Sequence, residues 1–269
     1  MSAVSTGGEA GVRVHDTASV AADAELGPGV DVGPYAIVGP GVSIGAKTRI
    51  GPRVLIERDT TIGSDCWIAN GAVLGTDPQD LKYRGEETHL DVGDRTVIRE
   101  FATLNRGTAA AGRTRVGSDC LLMAYSHVAH DCDLGSHVVV SNAVNMGGHV
   151  VIEDWAIVGG LVAIHQFVRI GTHAFVGGGC ALRQDVPPYC RVSGHPAPRL
   201  FGLNTVGLER RGFSPEVRRR LKRAYRKLFN TGQTVTQAIA SAEADEAVRC
   251  REVAYLLQFI RDSERGISS

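Results

Sequence analysis

The sequence predicts an all-β solenoid, a parallel β-helix of six-residue repeats over residues 14–187, followed by a small α-helical C-terminal domain. Three observations carry this. Aliphatic residues recur every sixth position, 33 of the 269 residues are glycine against 6% aromatics, and after Val186-Pro187-Pro188 the period turns helical. Many glycines with few bulky rings suit a narrow, tightly turning core.

Stepping by six from Val14 reaches Leu182 in 29 positions, of which 26 are Val, Ile, Leu or Met; the exceptions are Asp80, Glu86 and Ala110. A period of six fits neither the helical repeat of about 3.6 nor the strand repeat of about 2. It fits a flat face of six residues ending in a corner, with three faces closing one coil. Glycine commonly follows the aliphatic residue, as at Gly27, Gly33, Gly39 and Gly171, and is expected to ease the backbone through the turn. Four places after the aliphatic residue stands a small one, such as Ala36, Thr48, Cys66, Cys120, Cys132 or Cys180. Four of the six cysteines fall on this inward position and none forms a CxxC pair, so neither a disulfide framework nor a structural zinc site is expected.

Two polar segments, 76–90 and 105–115, interrupt the pattern and resume it in phase. Each therefore replaces whole repeats and bulges from the prism as a loop, where function usually sits. Residues 1–13 read as a disordered tail. Residues 188–269 hold a connector and three helices: one capped at Ser214-Pro215-Glu216 and stopped at Gly232, one over Val235–Ala244, and one over Glu246–Asp262. The first helix carries Arg218, Arg219, Arg220, Lys222, Arg223, Arg226 and Lys227, which suit a solvated face or a dock for an acidic partner.

The formal net charge is zero, so no global field recruits nucleic acid or an anionic membrane. No apolar stretch approaches the ~20 residues of a membrane span and no signal segment is evident; a reduced, cytoplasmic protein is expected.

Residues 18 apart stack at the sheet spacing of about 4.8 Å. His130, Gly148 and Gln166 make one such column, with His149 and His165 one place off it and His127 half a face away. Two chemistries suit this cluster. One is zinc, as in hexapeptide-repeat carbonic anhydrases, although the His127-Val-Ala-His130 spacing does not resemble their ligand pattern. The other is general base catalysis of acyl transfer, with backbone N–H groups at a glycine corner receiving the oxyanion.

Six ordered motifs then add a resemblance. They are GTDPQDLKYRGE from Gly75, His127-Val-Ala-His130-Asp-Cys, Gly147-Gly-His, Ala163-Ile-His-Gln-Phe, Gln184-Asp-Val-Pro-Pro-Tyr and Arg210-Arg-Gly-Phe-Ser. Together they resemble the UDP-N-acetylglucosamine acyltransferase family that begins lipid A biosynthesis. The resemblance implies a left-handed helix and transfer of a 3-hydroxyacyl chain from acyl carrier protein to the sugar 3-hydroxyl. It implies His130 as general base, the Gly148 N–H as oxyanion donor, Gln79, Asp80 and Lys82 around the sugar nucleotide, and His127, His149, His165 and Gln166 lining the site. Asn204, Arg210 and Arg211 match nucleotide contacts, where a guanidinium suits pyrophosphate. The family implication is a homotrimer with sites between subunits, no metal, and no cofactor beyond the phosphopantetheine on the carrier protein. Gly178 matches the acyl-length position, and a glycine there leaves room for a longer chain. Val206 stands where the family often has glutamate, which puts one nucleotide contact in doubt. Asp131 follows the base, but neighbouring strand side chains point apart. The basic helix becomes a dock for the acidic carrier. N-acylation of a 3-amino UDP-sugar and a zinc-dependent hydratase are the alternatives.

Overall fold

The computed structural model describes residues 11–194 and 198–268. The expected tail lies outside the described residues as far as residue 10, and the first strand begins at Arg13. From there the chain winds as a left-handed parallel β-helix whose three faces are sheets of 11, 9 and 8 strands. Most strands are two residues long, the first pointing out and the second in: Asp31 is partly exposed and Val32 buried. Asp31 pairs with Arg49 and Val32 with Ile50, one coil of 18 residues on. The inward aliphatics fill the prism, with Ile56, Ile68, Leu74, Leu104 and Leu122 wholly buried, each contributing about 1.5–3 kcal/mol. Cys66, Cys120, Cys132 and Cys180 are buried and all six cysteines are free thiols.

The glycines act differently from the expectation. The tight turn at most corners is made by a left-handed residue three places after the core aliphatic, and it is mostly not glycine: Tyr35 (φ 58°), Lys47 (φ 60°) and Trp155 (φ 64°) are examples. The glycine next to the aliphatic is needed because coils touch there. A Cβ on Gly39 would sit 1.7 Å from the Glu57 carbonyl oxygen, and one on Gly45 2.5 Å from the Gly63 backbone.

At the first polar segment the pairing step lengthens, Trp67 meeting Val97 and Leu74 meeting Leu104, 30 residues on. At the second it is 24, Val97 meeting Leu121 and Leu104 meeting Val128. The insertions are thus two repeats and one. Strands reach into both segments, Val73–Thr76 and His89–Val92 around the first, Thr103–Asn105 and Arg113–Val116 around the second. The loops proper are 77–88 and 106–112. Both leave the prism at one corner, between the second and third sheets.

The expected connector contains an antiparallel hairpin, Cys190–Ser193 with Arg199–Leu203, which extends the first sheet, and a short helix α1 (Thr205–Arg210). Helices α2 (Pro215–Phe229), α3 (Val235–Glu243) and α4 (Arg251–Arg261) follow. The helix expected over Glu246–Asp262 is divided. Asp245 caps a 3-10 turn at Glu246–Val248, the Arg220 guanidinium donates to the Arg249 carbonyl, and Cys250 is extended (φ −158°) before α4 begins. Leu208, Leu221, Leu256 and Ile260 form the helical core with Tyr189 of the prism. The final segment folds back onto the prism: Asp185 N–H donates to Gly266 O (2.8 Å) and Ser268 N–H to Asp185 O (2.9 Å). Among the described residues no helix is long and apolar enough to cross a membrane.

Candidate active site

The corner between the second and third sheets carries, coil by coil, the two loops and then His130-Asp131, Gly148-His149 and Gln166-Phe167. In each pair the second residue makes the left-handed turn: Asp131 (φ 58°), His149 (φ 60°) and Phe167 (φ 66°). Backbone bonds join the turns, His149 N–H to His130 O (3.0 Å) and Phe167 N–H to Gly148 O (3.2 Å). The side chains stack accordingly, the His149 ring face to face with Phe167 at 4.6 Å and edge-on to His130 at 5.3 Å.

His130 Nδ1 lies 2.8 Å from Asp131 Oδ2. The Asp131 side chain is wholly buried and receives Thr108 N–H on Oδ1 at 2.8 Å and the Thr108 hydroxyl on Oδ2 at 2.6 Å. Burial works against its charged form, but the hydrogen bonds from Thr108 and His130 outweigh burial and hold the carboxyl below its ordinary range. A buried carboxylate at Nδ1 makes that nitrogen the donor and leaves the lone pair on Nε2. Sequence reasoning left Asp131 aside by strand alternation, which stops at a left-handed corner. It missed Thr108 altogether; the one signal was a loop inserted beside the histidine column.

Gly148 keeps Nε2 open. A Cβ on it would lie 2.4 Å from His130 Cε1 and 2.7 Å from Nε2. Its own N–H has no partner among the described residues. His127, on the second sheet just before the corner, bonds the Thr103 hydroxyl at 2.7 Å; burial, then the charge of His130, lowers its pKa. His130, Asp131 and His149 offer ligand atoms within 4.8 Å of one another. Asp131 Oδ2, however, already takes the Thr108 hydroxyl and His130 Nδ1–H, so a cation would have to displace both. The arrangement suits an imidazole that moves a proton and a carboxylate that orients it.

Other candidates spread around the prism. His165 and Gln166 are exposed one coil above Gly148, with His165 Nδ1 2.8 Å from the Arg265 guanidinium. Gln79, Asp80 and Lys82 stand on the first loop, where Asp80 Oδ1 accepts the Lys82 N–H at 2.9 Å; no hydrogen bond ties them to His130. Asn204, Arg210 and Arg211 are not brought to this corner at all. They sit at the one between the third and first sheets, where Asn204 caps α1 by accepting Gly207 N–H (3.2 Å) and donates to His173 O (3.0 Å). The Arg211 guanidinium lies 3.7 Å over the Trp155 ring, and Arg210 and Val206 are exposed. His173 beside them is pushed down to about 4 by burial and then by Arg211. Gly178 is at the third corner, where a Cβ would come 3.1 Å from Gly160 O.

Residues 185–268 match the family model described as Udp N-acetylglucosamine O-acyltransferase, domain 2. The chain is 51% identical over 257 residues to the acyl-[acyl-carrier-protein]–UDP-N-acetylglucosamine O-acyltransferase of Myxococcus xanthus (strain DK1622), spanning 95% of this chain and 99% of that protein. It is 53% identical to the Paracidovorax citrulli (strain AAC00-1) protein of the same name, over 95% and 98%. The crystal structure of the UDP-N-acetylglucosamine acyltransferase of Bacteroides fragilis 9343 superposes with a TM-score of 0.93 at 39% identity, covering 95% of this chain and 100% of that one.

Proposed function

The chain belongs to the acyl-[acyl-carrier-protein]–UDP-N-acetylglucosamine O-acyltransferases, and we propose that, in its transfer of an acyl chain from carrier protein to UDP-N-acetylglucosamine, His130 is the general base. The observation that carries this is the Asp131-bound imidazole whose Nε2 is kept clear by Gly148. The sugar 3-hydroxyl gives its proton to Nε2 as its oxygen attacks the thioester carbonyl. The Gly148 N–H receives the oxyanion, Asp131 stabilises the imidazolium, and collapse expels the carrier thiolate, which takes the proton back. No metal is needed for any step. The phosphopantetheine arrives on the carrier protein as part of the substrate.

We read the site as shared between subunits of a homotrimer. The base, the nucleotide contacts (Asn204, Arg210, Arg211) and the acyl-length position (Gly178) occupy three different corners of one prism. A closed ring of three chains sets unlike corners against each other. Gly178 leaves its groove open for a longer 3-hydroxyacyl chain, and the product enters lipid A biosynthesis in the cytoplasm. The O-acyltransferase membership favours ester formation over an amide on a 3-amino sugar, and the filled Asp131 carboxylate speaks against zinc-dependent hydration. Mass spectrometry of the product decides: carrier protein with UDP-N-acetylglucosamine should give a 3-O-ester. A strong preference for the 3-amino analogue, or stoichiometric zinc lost with His130→Ala, overturns the reading.

The basic helix needs one revision. Arg218, Arg220, Arg223 and Lys227 pair with Glu209, Glu216 and Asp245 inside the chain. Arg219, Lys222 and Arg226 are exposed along one stripe and have no carboxylate within reach among the described residues. Reversing the charge on these three should raise KM for acyl carrier protein about tenfold or more at low salt, with KM for the sugar nucleotide unchanged. An unchanged carrier KM makes the stripe a solvated face.

A further inference from the structure

Among the described residues Arg106 is the largest side chain that is fully buried, at 1% exposure. It opens the second loop, and its guanidinium holds the first loop and the end of the strand that leads into it. One terminal nitrogen donates to the Gly75 carbonyl, and the other to the Asp77 carboxylate and, at 3.2 Å, to the Tyr83 hydroxyl. Its backbone N–H donates to Thr76 O at 3.0 Å, and neighbouring Asn105 donates to the Thr76 hydroxyl and the Asp77 carbonyl. Tyr83 in turn closes the stretch, its N–H bonding Asp80 O at 3.1 Å and its hydroxyl the Glu86 carbonyl at 2.9 Å. The residues between these anchors are Pro78 to Lys82.

We propose that Arg106 is a positioning residue for the acceptor, clamping both ends of the stretch that carries Gln79, Asp80 and Lys82 and so setting where the sugar nucleotide lies relative to His130. This rests on the reading that Asp80 and Lys82 hold the sugar nucleotide. A buried cation is a poor device for stability alone, since a well-packed apolar side chain does as well. Here, moreover, the Nε–H is buried without a partner among the described residues. What a guanidinium offers is a rigid planar fork that fixes several acceptors at once. Two residues on, Thr108 grips Asp131 on both oxygens. Gly107 between them admits no side chain, because a Cβ there would lie 2.3 Å from the Arg113 backbone. The segment 106–108 is thus a stiff bracket with the acceptor loop on one end and the base's orienting carboxylate on the other.

Steady-state kinetics on the full-length enzyme tests this, with KM measured separately for UDP-N-acetylglucosamine and for acyl carrier protein. Arg106→Lys keeps the charge and loses the fork, and should raise KM for the sugar nucleotide about tenfold or more. Tyr83→Phe, which removes one contact, should raise it by about two- to fivefold. The carrier KM should not move, and Arg106→Lys combined with Asp80→Ala should cost less than the product of the two single effects. A lower melting temperature or kcat with an unchanged sugar-nucleotide KM would mean a structural staple and overturns the proposal. If Arg106→Lys does not fold, Tyr83→Phe and Asp77→Asn carry the same comparison. If Asp80→Ala and Lys82→Ala raise that KM but Arg106→Lys and Tyr83→Phe do not, the positioning role alone falls. If none of the four moves it, the loop reading falls too.

Discussion

His130→Ala should lower kcat by about 10² to 10⁴-fold and leave the melting temperature within a few degrees. The side chain is partly exposed at the prism corner and fills no core, its exposure being 13%, so what is lost is proton transfer and little packing. The effect should be graded along the contacts that orient the ring. Asp131→Asn keeps the shape but no longer favours the Nδ1–H tautomer, and comparable replacements behind a catalytic histidine cost up to about 10⁴. Thr108→Val removes one hydroxyl bond to that carboxylate, a loss of about tenfold. Gly148→Ala adds a methyl within 2.7 Å of Nε2 at a position whose own backbone tolerates alanine, so kcat should fall without unfolding. Stability follows a definite sign. The Asp131 carboxyl is held below its ordinary value of about 4, so its contribution is complete at neutral pH and lost only as pH falls through the depressed value. Wild type and Asp131→Asn should differ most in urea stability near pH 7 and converge in acid. Retention of more than a tenth of wild-type kcat by His130→Ala would remove this histidine from the chemistry.

Two dead variants should revive each other. His130→Ala lacks the imidazole proposed as the base at one corner, and Arg210→Ala with Arg211→Ala lacks the guanidinium groups at another. If each site takes the base from one chain and the guanidinium groups from the next, co-refolding an equal mixture restores a wild-type pair at one site in four on random assembly, roughly a quarter of full activity. If each chain holds a whole site, every site in the mixture is defective and the activity stays at the level of the separate variants. Both variants are unfolded before mixing, so that the chains associate at random. Arg210 and Arg211 are surface residues, although Arg211 lies on Trp155, so the melting temperature of the double variant must be checked first.

Much of this architecture could be read from residue spacing, because in a β-helix a position in the repeat is a position in space. The aliphatic grid, the inward cysteines and the column through His130, Gly148 and Gln166 follow from counting by six and eighteen. Counting failed where the backbone leaves the strand. Asp131 was set aside by an alternation that does not extend to a left-handed corner, and the glycines were assigned to turns although coil-to-coil contact demands them. Thr108 and Arg106 lie in an inserted loop with no period to place them, and their partners are 23 and about 30 residues away. The hairpin at Cys190–Ser193 was hidden because its partner strand follows Pro196 and Pro198, which read as connector. That Asn204 and Arg211 sit at a different corner from His130 was beyond any one-chain pattern.

The left-handed residues at the corners bear on how the molecule comes into being. For a side chain other than glycine this backbone costs about 1–2 kcal/mol, and a coil such as the one with Asp131, His137 and Ala143 holds three such turns. Nothing within one coil repays that. Relief comes from the next coil, through bonds such as His149 N–H to His130 O. A lone coil therefore cannot persist, and growth proceeds by adding turns to a stack that already exists, as a crystal grows on a seed. The two ends are unequal in this. The last coils are closed by the helical domain and by the returning segment at Asp185, whereas Val14 in the first strand is 44% exposed. Among the described residues, the coils that the helical domain closes therefore have neighbours on both sides to repay their turns, and the coil at Val14 has a neighbour on one side.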